Sequence, residues 1–261
     1  MDFPFYQVDA FASAPFRGNP AAVVLLAEYP SYDVLRSIAA ENNLAETAFL
    51  VVKESGYQLR WFTPVLEVPL CGHATLATAA VVMERLEPGV KQVIFNTLTG
   101  ALPVHKNGNS YVLNFPSRPS KEIETPSRIT EGLGIEPLAV LENEFNYMAV
   151  LESAQAVRNC QPDMATIALL DRPGVIVTAA GDEDWDIVSR YFAPKKGIPE
   201  DPVTGGAHCM LAPYWARVLG KTDFRAFQAS SRGAEVLCRL RDDRVELEGR
   251  CVFVIEGRMT I

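Results

Sequence analysis

Phe62-Thr63-Pro64, followed by Glu67-Val68-Pro69-Leu70-Cys71-Gly72-His73-Ala74, recurs in altered form as Phe192-Ala193-Pro194, followed by Glu200-Asp201-Pro202-Val203-Thr204-Gly205-Gly206-Ala207. Glu67, Pro69, Gly72 and Ala74 match Glu200, Pro202, Gly205 and Ala207, each pair 133 residues apart in a chain of 261. Each copy runs into an apolar, alanine-rich stretch that reads as a helix. The chain therefore reads as two related lobes, each offering a glycine turn at a helix N-terminus. There the first N–H groups have no partner within the helix and the dipole favours an anion. A cleft between two such turns suits a small anionic ligand. One isolated glycine is better explained by the tight turn it permits; two at a matched offset favour ligand binding.

Working outward, the pattern is mixed α and β. Residues 5–11 alternate like a strand, a turn follows through Pro15, Gly18 and Pro20, and residues 21–26 form a compact apolar strand. Ser31 is a fitting N-cap for a helix from Tyr32 to Glu41 with Leu35, Ile38 and Ala39 on one face, stopped by Asn42-Asn43. Strands are expected over 46–52 and 57–62, a buried helix over 73–86, and further strands over 93–96, 101–105 and 111–115. Residues 116–127, polar and carrying three prolines, are the best linker. Beyond it, strands are expected over 147–151 and 174–179 and a helix from Gly205 to Leu219. Short β-branched segments at 245–247 and 251–255, set off by Gly249, complete an antiparallel style. The expectation is an α+β chain of two similar lobes, 1–117 and 118–261, each a mostly antiparallel, barrel-like sheet around a central helix. The last strand is free to return to the N-terminal lobe.

Composition narrows the function. A net charge of −8 and no visible basic face argue against nucleic acid as a partner, yet backbone amides bind a carboxylate without net positive charge. The five cysteines show no paired-ligand spacing and read as reduced thiols in a cytoplasmic protein. The N-terminus lacks the basic region and apolar core of a secretion signal, and no apolar run reaches the ~18–20 residues of a membrane helix. With three histidines and no His-x-x-x-His or Cys-x-x-Cys, no metal site is expected. Without a Gly-x-Gly-x-x-Gly, a Walker lysine or a Gly-x-Ser-x-Gly elbow, no cofactor and no serine nucleophile are expected either. What remains for an enzyme is acid–base chemistry by side chains.

Glu46 is the only charge between Asn43 and Lys53. On residues alone, a solvent-facing strand start explains it; a half-buried setting would raise its pKa toward the range of a general base. His73 and Asp201 sit inside the first and second turns. A histidine and a carboxylate near a bound acid hold or move protons, although histidines at helix starts and Asp before proline are also ordinary turn residues.

These residues resemble the PhzF-like (phenazine biosynthesis-like) family, which shares the diaminopimelate-epimerase fold. The match runs over most of the chain: Asp9-Ala10-Phe11, Gly18-Asn19-Pro20-Ala21-Ala22-Val23, Asn43-Leu44-Ala45-Glu46-Thr47, both repeated turns, Gly197-Ile198-Pro199, and Gln228 with Ser230, Arg232 and Gly233. The resemblance implies two lobes with the active site between them and Glu46 as the catalytic glutamate, moving a proton from one carbon of a small carboxylic acid to another. His73 and Asp201 match the assisting pair, and Asn19, Gly72, His73, Gly205 and Gly206 are the implied substrate contacts. A homodimer is also implied. Ala45 and Gly206 stand where many members carry serine, so the substrate is open; Ala234 replaces a frequent glycine. Cys71-Gly72 resembles the first cysteine turn of two-cysteine epimerases and racemases of the same fold, but Pro202 and Val203 stand where the second would fall. The expectation is a cofactor-independent isomerase. A two-base epimerase using Cys71 and a non-catalytic metabolite-binding member are the alternatives.

Overall fold

The computed structural model describes residues 2–182 and 184–261; Met1, the first residue of the expected N-terminal lobe, lies outside them. The chain divides into two units, Met1–Asn114 with Glu248–Ile261, and Phe115–Leu247. The division thus falls at 114/115 against the expected 117/118, and the chain's last stretch belongs to the first unit.

In the first unit, β1 (Asp2–Ala10), β2 (Asn19–Leu26), α1 (Tyr32–Asn42), β3 (Glu46–Lys53), β4 (Gly56–Phe62) and β5 (Glu67–Val68) lead to α2 (Gly72–Val81). β6 (Gln92–Thr97), β7 (Gly100–Asn107) and β8 (Ser110–Pro116), whose last two residues are counted with the second unit, follow. The final strand, Cys251–Thr260, pairs antiparallel with β1. α1 buries Leu35, Ile38 and Ala39 against Val24, Phe49 and Phe62, and ends where Asn43 turns left-handed at φ 48°. Ser31 makes no side-chain cap; its carbonyl accepts from Val34 and Leu35 instead. α2 is buried from His73 through Val81, as a helix apolar on all sides must be. The expected helix to Leu86 does not stay α: residues 82–86 widen into a π-turn closed by Glu87 N to Val82 O.

The second unit holds β9 (Lys121–Ile123), α3 (Ser127–Leu133), β10 (Ala139–Glu142), β11 (Asn146–Val150), α4 (Ala154–Asn159), α5 (Met164–Ile167) and β12 (Gly174–Ala180). β13 (Ile187–Ala193), β14 (Ile198–Glu200), α6 (Gly205–Leu219), β15 (Asp223–Gln228), β16 (Ala234–Arg241) and β17 (Arg244–Gly249), whose last two residues are counted with the first unit, complete it. Ile129, Val140, Val157, Val175, Val177 and Phe192 are at the heart of its core. The expected linker is partly structural. Residues 121–123 pair with β10, and Arg118 N donates to Cys209 O at 2.9 Å. That carbonyl lies four residues before Pro213, which has no N–H to give it.

Topology doubles the repeat. β1–β2 is antiparallel, β2–β3 parallel, β3–β4 and β4–β5 antiparallel, β4–β6 parallel and β6–β7 antiparallel. The same series runs through β10–β11, β11–β12, β12–β13, β13–β14, β13–β15 and β15–β16. Phe62 pairs with Glu67 as Phe192 pairs with Glu200. The chain thus has two similar α+β units, mostly antiparallel, with α2 the buried helix of one and α6 the long helix of the other. Among the described residues no helix is long and apolar enough to cross a membrane.

Candidate active site

In the first unit, three of the sequence candidates converge. Glu46 opens β3, paired with Ala21 of β2, and the strand start is fixed by Asn42 Nδ2 donating to Thr47 Oγ1 at 3.0 Å. His73 lies in the first turn of α2. Its Nε2 is 3.4 Å from Glu46 Oε2, with the Glu46 side chain 16% exposed and that of His73 6%. Glu46 is therefore in the half-buried setting rather than on an open strand start. Asn19, the first residue of β2, is fully buried, and its Nδ2 donates to His73 Nδ1 at 3.2 Å. An amide nitrogen only donates, so Nδ1 is the acceptor and the ring carries its proton on Nε2, toward Glu46. Burial holds the imidazole down to about 3, so it stays neutral at physiological pH. Nε2 makes no hydrogen bond among the described residues and faces Glu46 across the 3.4 Å ion contact alone. A buried donor left in that state costs about 1–3 kcal/mol and calls for a functional account.

Cys71, the residue before α2, is buried, with Sγ 3.6 Å from His73 Nδ1. It makes no side-chain cap on α2, and Thr75 Oγ1 donates to its carbonyl at 2.6 Å. One carboxylate, one thiol and one imidazole of Glu46, Cys71 and His73 thus lie within 4.8 Å of one another. Three such donors could together hold a borderline divalent ion such as zinc. The cluster is not visible in linear spacing because the fold, not the sequence, brings β3 beside the α2 start.

The loop before Asn19 is held under strain. Asp9, 1% exposed, accepts from Phe16 N at 2.7 Å, while Phe11 and Phe16 carry positive φ of 55° and 67°. Gly18 closes the loop at φ +62°, where a Cβ would lie 2.1 Å from Ala10 O and 2.9 Å from Phe11 O. Gly18→Ala should therefore cost roughly 2–5 kcal/mol, from left-handed strain and overpacking together. It should also displace Asn19 from His73. Urea unfolding measures the first effect; unchanged stability would contradict the geometry.

The second turn is latched differently. Asp201 Oδ2 accepts from Thr204 Oγ1 at 2.5 Å. Gln228 accepts from Thr204 N at 2.9 Å and donates to Asp201 O at 2.7 Å, and Ser230 Oγ donates to Pro202 O at 2.9 Å. Gly205 and Gly206 open α6. A Cβ at Gly206 would meet nothing within 4 Å, and one at Gly205 would make ordinary contacts with Leu247 at 3.4 Å and Phe115 at 4.0 Å. Neither glycine is demanded by packing, which removes the tight-turn explanation at these two positions and leaves the α6 start open to approach.

The repeat, read from Phe62 and Phe192, omits an arginine that precedes each by two residues. Arg60 forks onto Glu67, Nε to Oε1 and Nη2 to Oε2, both at 2.7 Å. Arg190 forks onto Glu200 through the same atoms at 2.7 and 3.0 Å. The signal was in the sequence: Arg60-Trp61-Phe62-Thr63-Pro64 and Arg190-Tyr191-Phe192-Ala193-Pro194 share Arg-aromatic-Phe-x-Pro.

Comparison with known proteins agrees with this architecture. A family model described as phenazine biosynthesis-like protein matches residues 8–257. An isomerase of Pseudomonas aeruginosa, itself uncharacterised, is 45% identical over the full length of both chains. The crystal structure of a PhzF-family phenazine biosynthesis protein from Enterococcus faecalis is 40% identical, covers both chains completely and superposes with a TM-score of 0.96. A hydroxyproline epimerase from Agrobacterium vitis shares the fold alone. It is 11% identical, with a TM-score of 0.62 over 98% of this chain and 92% of its own. With the duplicated diaminopimelate-epimerase-like fold and a family match from residue 8 to residue 257, the chain belongs to the phenazine biosynthesis-like family.

Proposed function

We propose that the protein is a cofactor-independent isomerase of a small carboxylate-bearing metabolite, with Glu46 as its general acid/base. The observation that carries this reading is the Glu46 carboxylate set 3.4 Å from a buried, neutral imidazole, in a family whose relatives are named isomerases. Glu46 takes a proton from a carbon activated by the substrate's carboxylate or its conjugated system. The electron pair moves into that system, and Glu46 returns the proton at another carbon, so no electrons leave or enter. The Nε2–H of His73 steadies the Glu46 oxygen or the charge that develops beside it, and Asn19 holds the His73 ring as well as belonging to the proposed substrate contacts. The N–H groups at the start of α2, from Gly72, hold the anion. Asp201 as assisting acid, with Gly205 and Gly206 as a second anion-holding turn, belongs to the same proposal, as does a homodimer. The test is a screen of small carboxylic acids in deuterated water. The wild-type chain should label at least one at carbon, and a chain that labels none while binding an acid tightly would be the non-catalytic member of the fold.

One observation favours a second reading: Cys71 Sγ lies 3.6 Å from His73 Nδ1, within reach of a base for thiol chemistry. It predicts that Cys71→Ser loses nearly all exchange. The glutamate reading predicts that this variant keeps it within about threefold, since the serine hydroxyl fills the same place and general acid–base catalysis of 10²–10⁴-fold stays with Glu46.

A further inference from the structure

The two arginine–glutamate forks lie outside the proposed proton-transfer groups, yet they recur atom for atom. In each unit the arginine stands on the strand two residues before the shared phenylalanine. The glutamate stands opposite that phenylalanine, on the short strand that leads to the helix. Five residues after each glutamate comes the glycine that opens the helix, Gly72 or Gly205. Both pairs are largely shielded, with side chains 23% and 15% exposed for Arg60 and Glu67, and 14% and 20% for Arg190 and Glu200. Arg60 is wedged over the rings of Tyr29 and Phe62, at 5.0 and 5.2 Å. Arg190 lies 4.8 Å over Phe192, and its Nη1 also donates to Cys160 O and to Arg158 O at the end of α4.

β5 pairs with β4 over two residues only, Trp61 with Val68 and Phe62 with Glu67. So short a ladder fixes little by itself, and neither α2 nor α6 has a side-chain cap from its preceding residue. A bidentate guanidinium–carboxylate pair is strong and directional and sets register as well as distance. We infer that Arg60–Glu67 and Arg190–Glu200 are positioning residues that each set the place of one glycine turn, a duplicated brace for the helix starts at Gly72 and Gly205. The purpose assigned to the brace rests on the anion-holding reading of those turns. The two copies are unequal. Gln228 and Ser230 also hold the second turn. Beside the first, the corresponding bond among the described residues is a long one, Thr99 Oγ1 to Pro69 O at 3.4 Å. Loosening Glu67 should therefore disturb its turn more than loosening Glu200 disturbs the other.

The test uses the full chain, ¹⁵N-labelled, with benzoate as the anion probe and the amides of Gly72, His73, Gly205 and Gly206 as reporters. Glu67→Gln and the milder Arg60→Lys, which keeps the charge and loses the fork, should speed hydrogen exchange at residues 72–75. They should also weaken the benzoate response at Gly72, each by roughly tenfold, the scale of losing a charge-assisted pair. The Gly205 and Gly206 amides should not change. Glu200→Gln should do the converse, by a smaller factor. A role in stability alone would lower the melting temperature and leave benzoate affinity and local exchange as in the wild type, which overturns the brace. Equal disturbance of both turns by Glu67→Gln overturns it too. If the wild-type Gly72 amide ignores benzoate, the anion reading fails, and the exchange rates at residues 72–75 still decide whether the fork sets the turn.

Discussion

Glu46→Gln should abolish carbon-bound deuterium exchange on any acid that the wild-type protein labels, lowering the rate by about 10²–10⁴-fold, the span of general acid–base catalysis by one positioned group. The variant should remain folded, because glutamine matches the shape of the side chain and keeps an oxygen toward His73 Nε2. Its amide has no basic site to receive a proton from carbon. The size of the effect follows from the duplicated frame carrying such a carboxylate in one unit and not, among the described residues, at the matching place in the other. Thr47 pairs with Phe62 and Val175 pairs with Phe192, so the position before Val175, Gly174, is the second unit's counterpart of Glu46. A Cβ on Gly174 would lie 2.1 Å from Tyr191 Oη and 2.5 Å from Asn146 Oδ1. The second unit has filled that place with a tyrosine–asparagine hydrogen bond of 3.0 Å and has no stand-in base there. Exchange by Glu46→Gln within about threefold of the wild-type rate would sink the mechanism, since loss of a true base cannot have so small an effect.

That counterpart was hidden from a linear reading for a definite reason. The copies lie 128 residues apart at Thr47 and Val175, 130 apart at Phe62 and Phe192, and 133 apart at Glu67 and Glu200. One fixed offset finds only the last block. Between Phe192 and Glu200 the second copy inserts a short 3-10 turn at Pro194–Lys196, which moves the register. What was legible was local chemistry: the helix over Leu35, Ile38 and Ala39, its asparagine stop, and the all-apolar helix after Gly72. Contacts made by folding were not. Cys71 and His73 are two residues apart, but Glu46 joins them only because β3 runs beside β2, and Asn19 joins them only because β2 starts under α2. The proline-rich stretch at 116–127 reads as a plain linker, yet Arg118 serves a carbonyl that Pro213 leaves free, a need visible only once α6 is known to run through that proline.

Acid should weaken this protein from about pH 6.5 downward, starting before its ordinary carboxylates are protonated. His73 and His208 are 5% and 0% exposed, and burial holds their imidazoles down to about 3 and about 4. In the unfolded chain each titrates near ~6.5. Between that value and the folded ones, the unfolded state binds protons that the native state refuses, so stability rises with pH there. It is fully present above about pH 6.5, falls steadily as the pH drops, and stops falling on this account only below the folded values. At about 1.4 kcal/mol for each tenfold difference in proton affinity, the pair should remove several kcal/mol by about pH 4, a large part of the roughly 5–15 kcal/mol by which a domain is stable. Urea midpoints taken from about pH 7.5 down to about pH 4.5 should therefore decline throughout the range below about 6.5, before carboxylates near ~4 take part. His208→Gln separates the two sites. It loses the Nδ1 contact to Thr204 O at 2.8 Å, so it should be less stable than the wild type at neutral pH. Its dependence on pH should nevertheless be about half as steep, because one of two proton-refusing groups is gone. A wild-type stability that stays flat from about pH 7.5 to about pH 5 would mean that His73 and His208 are protonated in the native state. The neutral imidazole on which the Glu46 mechanism depends would then be wrong as well.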